Sequence, residues 1–173
     1  MSRIGPRVVG VDPGTWQSAW AWIDGTEVIE HGYCANEDLL QMIRDRYFGE
    51  SELAIEMVAS YGLAVGSSTF ETVRWIGRFQ EAYELGSSGT PAKLLYRKQD
   101  SEGIPAILLH ICKNSRAGDS NVRQAIIDMY EPTGGGKVPQ VGTKKNQGPL
   151  YGISSHVWQA LAVAITCRDA LNA

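Results

Sequence analysis

Residues Arg7–Thr15 read RVVGVDPGT. Val8, Val9 and Val11 are β-branched, so they suit a pleated sheet and crowd a helix. Pro13-Gly14 ends the run. The stretch is a buried strand, and Asp12 stands at its tip. A second apolar run, Leu53–Met57 (LAIEM), is long enough for a buried strand and too short for a helix. It carries Glu56 among apolar neighbours. A carboxylate in such a place costs several kcal/mol unless it is paired or bound to metal. Two of them at the tips of adjacent central strands would face each other, raise each other's pKa and attract a divalent cation. The ordinary alternative is that each acid meets a lysine, an arginine or a backbone amide.

Outward from this pair, Trp16–Asp24 continues as a strand, and Asp24-Gly25 signals a two-residue hairpin with Thr26–Tyr33 returning. Three antiparallel strands therefore open the chain. Asn36 caps a helical pattern with Leu39, Leu40, Ile43 and Tyr47 on one face. Ser67–Leu85 is a long helix with Phe70, Val73, Trp75, Ile76, Phe79 and Tyr83 as its apolar face. Lys93–Tyr96 is a further short strand, and Gln99–Pro105 a polar loop. Ile107–Cys112 resumes an apolar pattern, and Asp119 caps a helix running to about Tyr130. Ser154 or Ser155 starts a last helix, whose apolar face carries Trp158, Leu161, Ala162 and Ile165. The order βββ-α-β-α-β-α-α is that of an α/β chain with a mixed sheet.

Composition limits the classes open to this chain. Its 173 residues fit one domain, expected to span 1–173, with a real core. Hydrophobic and charged fractions of 43% and 20% exclude wholesale disorder. A net charge of −3 excludes a uniformly basic nucleic-acid coat but leaves room for a local basic face. Residues 1–56 hold 4 basic and 10 acidic side chains, whereas residues 93–145 hold 9 basic and 5 acidic. Such a polarity suits one site where carboxylates collect metal beside cations that collect phosphate, or else a merely solvated surface. No apolar stretch approaches the roughly 18–20 residues needed to cross a bilayer. Met1–Arg7 has no apolar leader core. Cys34, Cys112 and Cys167 form no CxxC pair, and read as thiols in a reducing compartment with neither disulfide nor zinc. The expected setting is soluble and intracellular, with no membrane partner.

Three blocks decide between these options. VVGVDPGT (Val8–Thr15), LAIEMV (Leu53–Val58) and HVWQALAVAI (His156–Ile165) resemble, in order and spacing, the active-site blocks of the RuvC-type Holliday-junction resolvases of the RNase H-like superfamily. CKNSRAGDSNV (Cys112–Val122) is similar to the turn and helix start that precede the last block. The glycine- and lysine-bearing insertion and the YGIS.H.W.ALAVA ending resemble the phage-encoded branch. The resemblance implies an RNase H-like fold with a mixed five-stranded sheet flanked by helices. It also implies a crossover-junction endodeoxyribonuclease that uses two Mg²⁺ or Mn²⁺ ions. Branched DNA, four-way junctions above all, would be its substrate in recombination, repair or phage DNA processing. It further implies a homodimer in the cytoplasm, the host's if phage-encoded, and the apolar face with Trp75 and Phe79 is the candidate interface.

By the same resemblance Asp12 and Glu56 match the first two metal-binding carboxylates. His156 and Gln159 match the two positions of the last helix, where three-residue spacing puts them on one face. His156 is an accepted ligand there. Gln159 departs from the usual Asp, and an amide oxygen lacks the charge that anchors a hard cation. That departure fits either a lineage working with fewer acids or a loss of activity. Ala59 stands where family members place a stacking aromatic, and Tyr61 is its nearest substitute. Lys113, Arg116 and Arg123 are candidate DNA contacts near the Asp119 helix, while helix capping and a solvated face account for Asp119 and Asp128.

Pro132–Gly152 has six glycines, three prolines and three lysines in 21 residues. It reads as a flexible basic loop, with Lys137, Lys144 and Lys145 available to phosphates. VVGVDPGT also resembles the phosphate loop of actin-like ATPases, but those need two such lobes. GGGK (Gly134–Lys137) lacks a preceding strand, and Val138 sits where a P-loop has Ser or Thr. A non-enzymatic alternative is a structure-selective DNA-binding protein of the same fold.

Overall fold

A computed structural model describes residues 5–173; the start of the segment read as lacking a leader, residues 1–4, lies outside the described residues. The strand at the first valine run is β1 (Arg7–Asp12). It pairs antiparallel with β2 (Gln17–Asp24), and β2 in turn pairs with β3 (Glu27–Ala35). The hairpin loop is Gly25-Thr26, one residue later than the Asp-Gly signal suggested, because Asp24 still pairs with Glu27. Gly25 supplies the positive φ of 57°. Helix α1 (Asn36–Arg44) leads to β4 (Glu52–Met57), which lies parallel to β1. Helix α2 (Ser67–Gly86) leads to β5 (Lys93–Tyr96), parallel to β4. Then come α3 (Ile107–Cys112), α4 (Asp119–Met129) and α5 (Val157–Leu171). The sheet order is β3-β2-β1-β4-β5, so the expected mixed five-stranded sheet flanked by helices is present.

Alternation along the strands builds a core on each face of the sheet. Val9, Val11, Trp20, Leu53 and Ile55 meet α1 and α2 on one face. Val8, Ala19, Ala21, Ala54 and Leu95 meet α3, α4 and α5 on the other. Helix α5 is not amphipathic, as its sequence pattern suggested. Every residue from Val157 to Cys167 is buried, since the helix lies across the sheet under α4 and the 132–152 segment. It comes close because β1 has a glycine beneath it: a Cβ on Gly10 would collide with the Ala160 carbonyl oxygen and the Ala164 amide nitrogen.

Several local expectations shift. Asn36 does not cap α1. Ala35 is the N-cap, and Asn36 is the buried first helical residue. Tyr47 lies beyond that helix, and its hydroxyl donates to the Glu30 carboxylate. Gly118 precedes α4, where Asn121 Oδ1 accepts its backbone N–H at 2.9 Å, while Asp119 is the first helical residue. On α2 the buried side chains are Thr72, Ile76, Phe79 and Ala82, whereas Phe70 and Val73 face solvent. Phe79 is fully buried against the sheet and unavailable to a partner, which removes it from the candidate interface. The Trp75 ring is covered by the Arg78 guanidinium at 4.2 Å. All three cysteines are free thiols, and burial pushes Cys167 up to about 12, which keeps it inert.

The 132–152 stretch forms no named helix or strand, but it closes on itself through backbone hydrogen bonds. Gly134 donates to Pro139, Gly135 to Asn146, Gly148 to Val141 and Leu150 to Gln140. A Cβ on Gly142 or Gly148 would strike the facing backbone, so these glycines serve close approach. Leu150 anchors the segment in the core, and Lys137, Lys144 and Lys145 are exposed. Among the described residues no helix is long and apolar enough to cross a membrane.

Candidate active site

The two acids, partly buried, meet as their strands require. β1 and β4 run parallel with Val11 opposite Ile55, so Asp12 and Glu56 follow side by side at the C-terminal ends. Both point to the α5 face, because Val8 and Ala54, four and two positions back along the alternation, lie in that core. Burial is the main cause that raises the Asp12 pKa to about 6, partly opposed by His156. Burial also raises Glu56 to about 7, with the charge of Asp12 adding to it.

A buried polar knot fixes the turn after Asp12. The Ser18 hydroxyl donates to Asn36 Oδ1 at 2.6 Å, and Asn36 Nδ2 donates to the Gly14 carbonyl at 2.9 Å. The Gly14 amide donates to Ser18 Oγ at 3.2 Å, and the Asn36 amide to the Trp16 carbonyl at 2.9 Å. Asn36 thus gives up a capping role to lock the Pro-Gly turn, and with it the direction of Asp12.

α5 brings its N-terminal end to the pair. His156 is the N-cap, and its Nδ1 lies 3.2 Å from Asp12 Oδ2. Its ring stacks on Tyr33, with centroids 5.7 Å apart and planes 25° apart. Tyr33 pairs with Ala19, and Ala19 with Asp12, so one row across the sheet carries the whole group. Gln159 is buried, and its Oε1 accepts a 2.9 Å hydrogen bond from Arg97. Arg97 follows β5 directly, and its other terminal nitrogen donates to Asp119 at 2.6 Å. The Arg97 charge lowers the pKa of both Asp12 and Glu56. Tyr33 and Arg97 carried no sequence signal of their own. The one clue to Arg97 was a cation just past a parallel strand, at the same end as the two acids. Asp119, read as a cap, joins the site through Arg97; Asp128 stays outside it, accepting from Gln124.

The candidate DNA contacts are dispersed. Arg123 comes closest: it lies 5.4 Å from the Trp158 ring and lines an open hollow with Asp119, Ser155, His156 and Gln159. Lys113 ends α3 in a left-handed conformation and donates to the His110 carbonyl, with Arg116 exposed on the following turn. Tyr61 is half-exposed, but its hydroxyl accepts the Lys98 amide N–H at 3.2 Å, and the Lys98 ammonium lies 5.6 Å from its ring. It ties the β4–α2 loop to the loop after β5. The 132–152 segment reaches the site's edge near Tyr151, whose carbonyl is 3.4 Å from His31 Nε2.

Two adjacent, partly buried carboxylates that repel each other fit a hard divalent cation, which would relieve both the desolvation cost and the repulsion. Among the described residues no three His, Cys, Asp or Glu side chains form a ready metal cage. Asp12 and Glu56 are the two carboxylates that could hold such an ion, with His156 beside them and Gln159 already committed to Arg97.

No family model and no curated protein matches the chain in sequence. Solved structures do match in shape. One, described as Thermus thermophilus RuvC in complex with Holliday junction substrate, has a TM-score of 0.64 at 12% identity. That alignment covers 95% of this chain and 94% of that one. A second Thermus thermophilus RuvC structure has a TM-score of 0.59 at 14% identity, covering 92% of each chain. In its fold the chain is similar to the RuvC Holliday-junction resolvases along nearly its whole length, as its three sequence blocks imply.

Proposed function

We propose that the chain is a single-domain, metal-dependent endonuclease that hydrolyses phosphodiesters in branched DNA, four-way junctions foremost. The observation that carries this reading is the pair of partly buried carboxylates, Asp12 and Glu56, side by side on parallel strand ends within a RuvC-like fold. A divalent cation held there, Mg²⁺ or Mn²⁺, would supply positive charge to a phosphodiester and acidity to a bound water. The chain's own groups do the rest. Asp12 and Glu56 hold the cation, and Asp12 also orients the His156 ring through Nδ1. Tyr33 limits that ring's rotation by stacking. His156 Nε2 is then left to exchange a proton with water or a leaving oxygen. Lys113, Arg116, Arg123, Lys137, Lys144 and Lys145 are the candidate phosphate contacts, dispersed around the site, with Tyr61 a further candidate DNA contact. Two symmetric nicks require two active sites, so the working form is a homodimer. The exposed Phe70 of α2 replaces Phe79 as the candidate contact. DNA processing of this kind belongs to the cytoplasm.

The test is junction cleavage by the parent and by Asp12→Asn with Mg²⁺ or Mn²⁺. The variant is expected to bind junction DNA at least as tightly and to cut it at least about 10³-fold more slowly, a loss typical of removing one electrostatic centre of catalysis. Cleavage at the parental rate would refute the assignment. A parent that binds junctions and never cuts them would instead make the chain a structure-selective DNA-binding protein.

A further inference from the structure

We propose that Arg97 is a built-in cation of the active site: held by Gln159 and Asp119, it takes a non-bridging oxygen of the scissile phosphate, so the site binds one divalent ion. The inference rests on the nuclease reading and deepens it.

The guanidinium is anchored at two points, Gln159 Oε1 at 2.9 Å and Asp119 Oδ1 at 2.6 Å. Those anchors use two of its five N–H donors. It makes no hydrogen bond to Asp12 or Glu56 among the described residues, although Arg97 leaves β5 at the same end of the sheet, where Leu95 pairs with Glu56 and Tyr96 with Met57. Its remaining N–H donors carry no hydrogen bond among the described residues, so a phosphate oxygen can take them. Ordinary ion pairing does not account for this arrangement. The Asp119 carboxylate is 76% exposed, and such a contact contributes little to stability. Gln159, in contrast, is a buried amide whose oxygen is aimed at Arg97. With Asp119 already paired to Arg97 from an exposed position, a carboxylate at position 159 would set a second, buried counter-charge against the guanidinium and outweigh its positive charge. A neutral amide orients the guanidinium and leaves that charge in place. The amide at this position is thereby explained without any loss of activity.

In hydrolysis the water oxygen bonds to phosphorus as the P–O3′ bond breaks. The water gives up a proton and the leaving 3′-oxygen gains one, so no oxidant or co-reactant is needed. Arg97 transfers nothing. Its planar fork meets charge that grows on the phosphate oxygens.

The deciding experiment is anomalous diffraction from crystals of the chain grown with a four-way junction and Mn²⁺, together with cleavage kinetics. One Mn²⁺ peak against Asp12 and Glu56 is expected, with a phosphate oxygen within hydrogen-bond distance of Arg97. Arg97→Ala should lower kcat by about 10²–10³-fold with KM for the junction within a few-fold, and Arg97→Lys should recover part of the loss. A second Mn²⁺ peak beside Gln159 overturns the inference and leaves the nuclease reading intact. So does parental kcat in Arg97→Ala. No Mn²⁺ peak, together with no cleavage by the parent, overturns the nuclease reading itself.

Discussion

Replacing Glu56 by glutamine should stabilise the metal-free chain at alkaline pH while removing its activity. In the fold the Glu56 carboxyl has a pKa of about 7 against an ordinary 4.5, raised first by burial and then by Asp12. At about 1.36 kcal/mol per pH unit, that gap is a cost of about 3 kcal/mol for carrying the ionised group into the fold. The sign follows from linkage. Between pH 4.5 and about 7 the native state keeps a proton that the unfolded chain has released, so stability falls as pH rises through this window and levels off above it. Glutamine has no charge to bury, so Glu56→Gln should gain up to about 3 kcal/mol at pH 8, or roughly 6–12 °C in Tm for a chain of this size. Near pH 5 the parent is itself protonated there in the fold, and the gain should shrink to under about 1 kcal/mol. Asp12→Asn should show a similar pattern centred nearer pH 6. The two gains should not add, because each acid contributes to the other's shift. The assay is urea unfolding in chelator at pH 5 and pH 8. Saturating Mn²⁺ at pH 8 should narrow the difference by stabilising only the parent. Equal stability at pH 8, or a gain that persists undiminished at pH 5, would show that this carboxyl is not carried at a cost.

The same two carboxyls should make Mn²⁺ binding pH-dependent. Affinity should fall about tenfold or more per pH unit below about pH 6, where protons compete for Asp12 and Glu56, and calorimetry giving a flat profile would exclude them as ligands. Lys144→Ala with Lys145→Ala should flatten the log–log salt slope of junction binding by up to about two units, at a stability cost within about 0.5 kcal/mol. An unchanged slope would move the basic face to Lys113, Arg116 and Arg123. Asn36→Ala should cost about 1–3 kcal/mol, because it strips Ser18 and the Gly14 carbonyl of buried partners. It should also slow cleavage by loosening the Asp12 turn, and a variant with parental stability and rate would show the knot to be idle.

What could be read from the sequence depended on whether a residue's position is dictated locally. Asp12 and Glu56 stood out because each sits in a β-branched or apolar run, where a carboxylate needs a partner, and the resemblance of the three blocks then pointed to metal as that partner. The opening hairpins were legible from such runs as well. Asn36 was misread because an Asn before an apolar helix usually serves the helix, and only the tertiary approach of the Gly14 turn gives it a stronger use. Phe79 was misread because a mixed apolar stripe on α2 does not say which residues face the sheet and which face water. The even burial of α5 followed from Gly10, whose missing side chain lets the helix settle on β1.

Gln159 shows where such reading stops and why structure changes its meaning. As a letter in a block it is a carboxylate lost, and activity is in doubt. In the fold its amide oxygen faces Arg97, a residue 62 positions away that follows a strand too short to predict where its side chain would aim. A neutral acceptor at 159 and a cation at 97 form one unit, and neither is interpretable alone. The consequence is a test by exchange. Gln159→Asp by itself should not speed cleavage, because the new carboxylate would pair with Arg97 and silence it. Gln159→Asp combined with Arg97→Ala should recover part of what Arg97→Ala loses, because the freed carboxylate can then take a second Mn²⁺. A large gain in junction cleavage from Gln159→Asp alone would show that the amide marks a missing ligand and that Arg97 is a bystander.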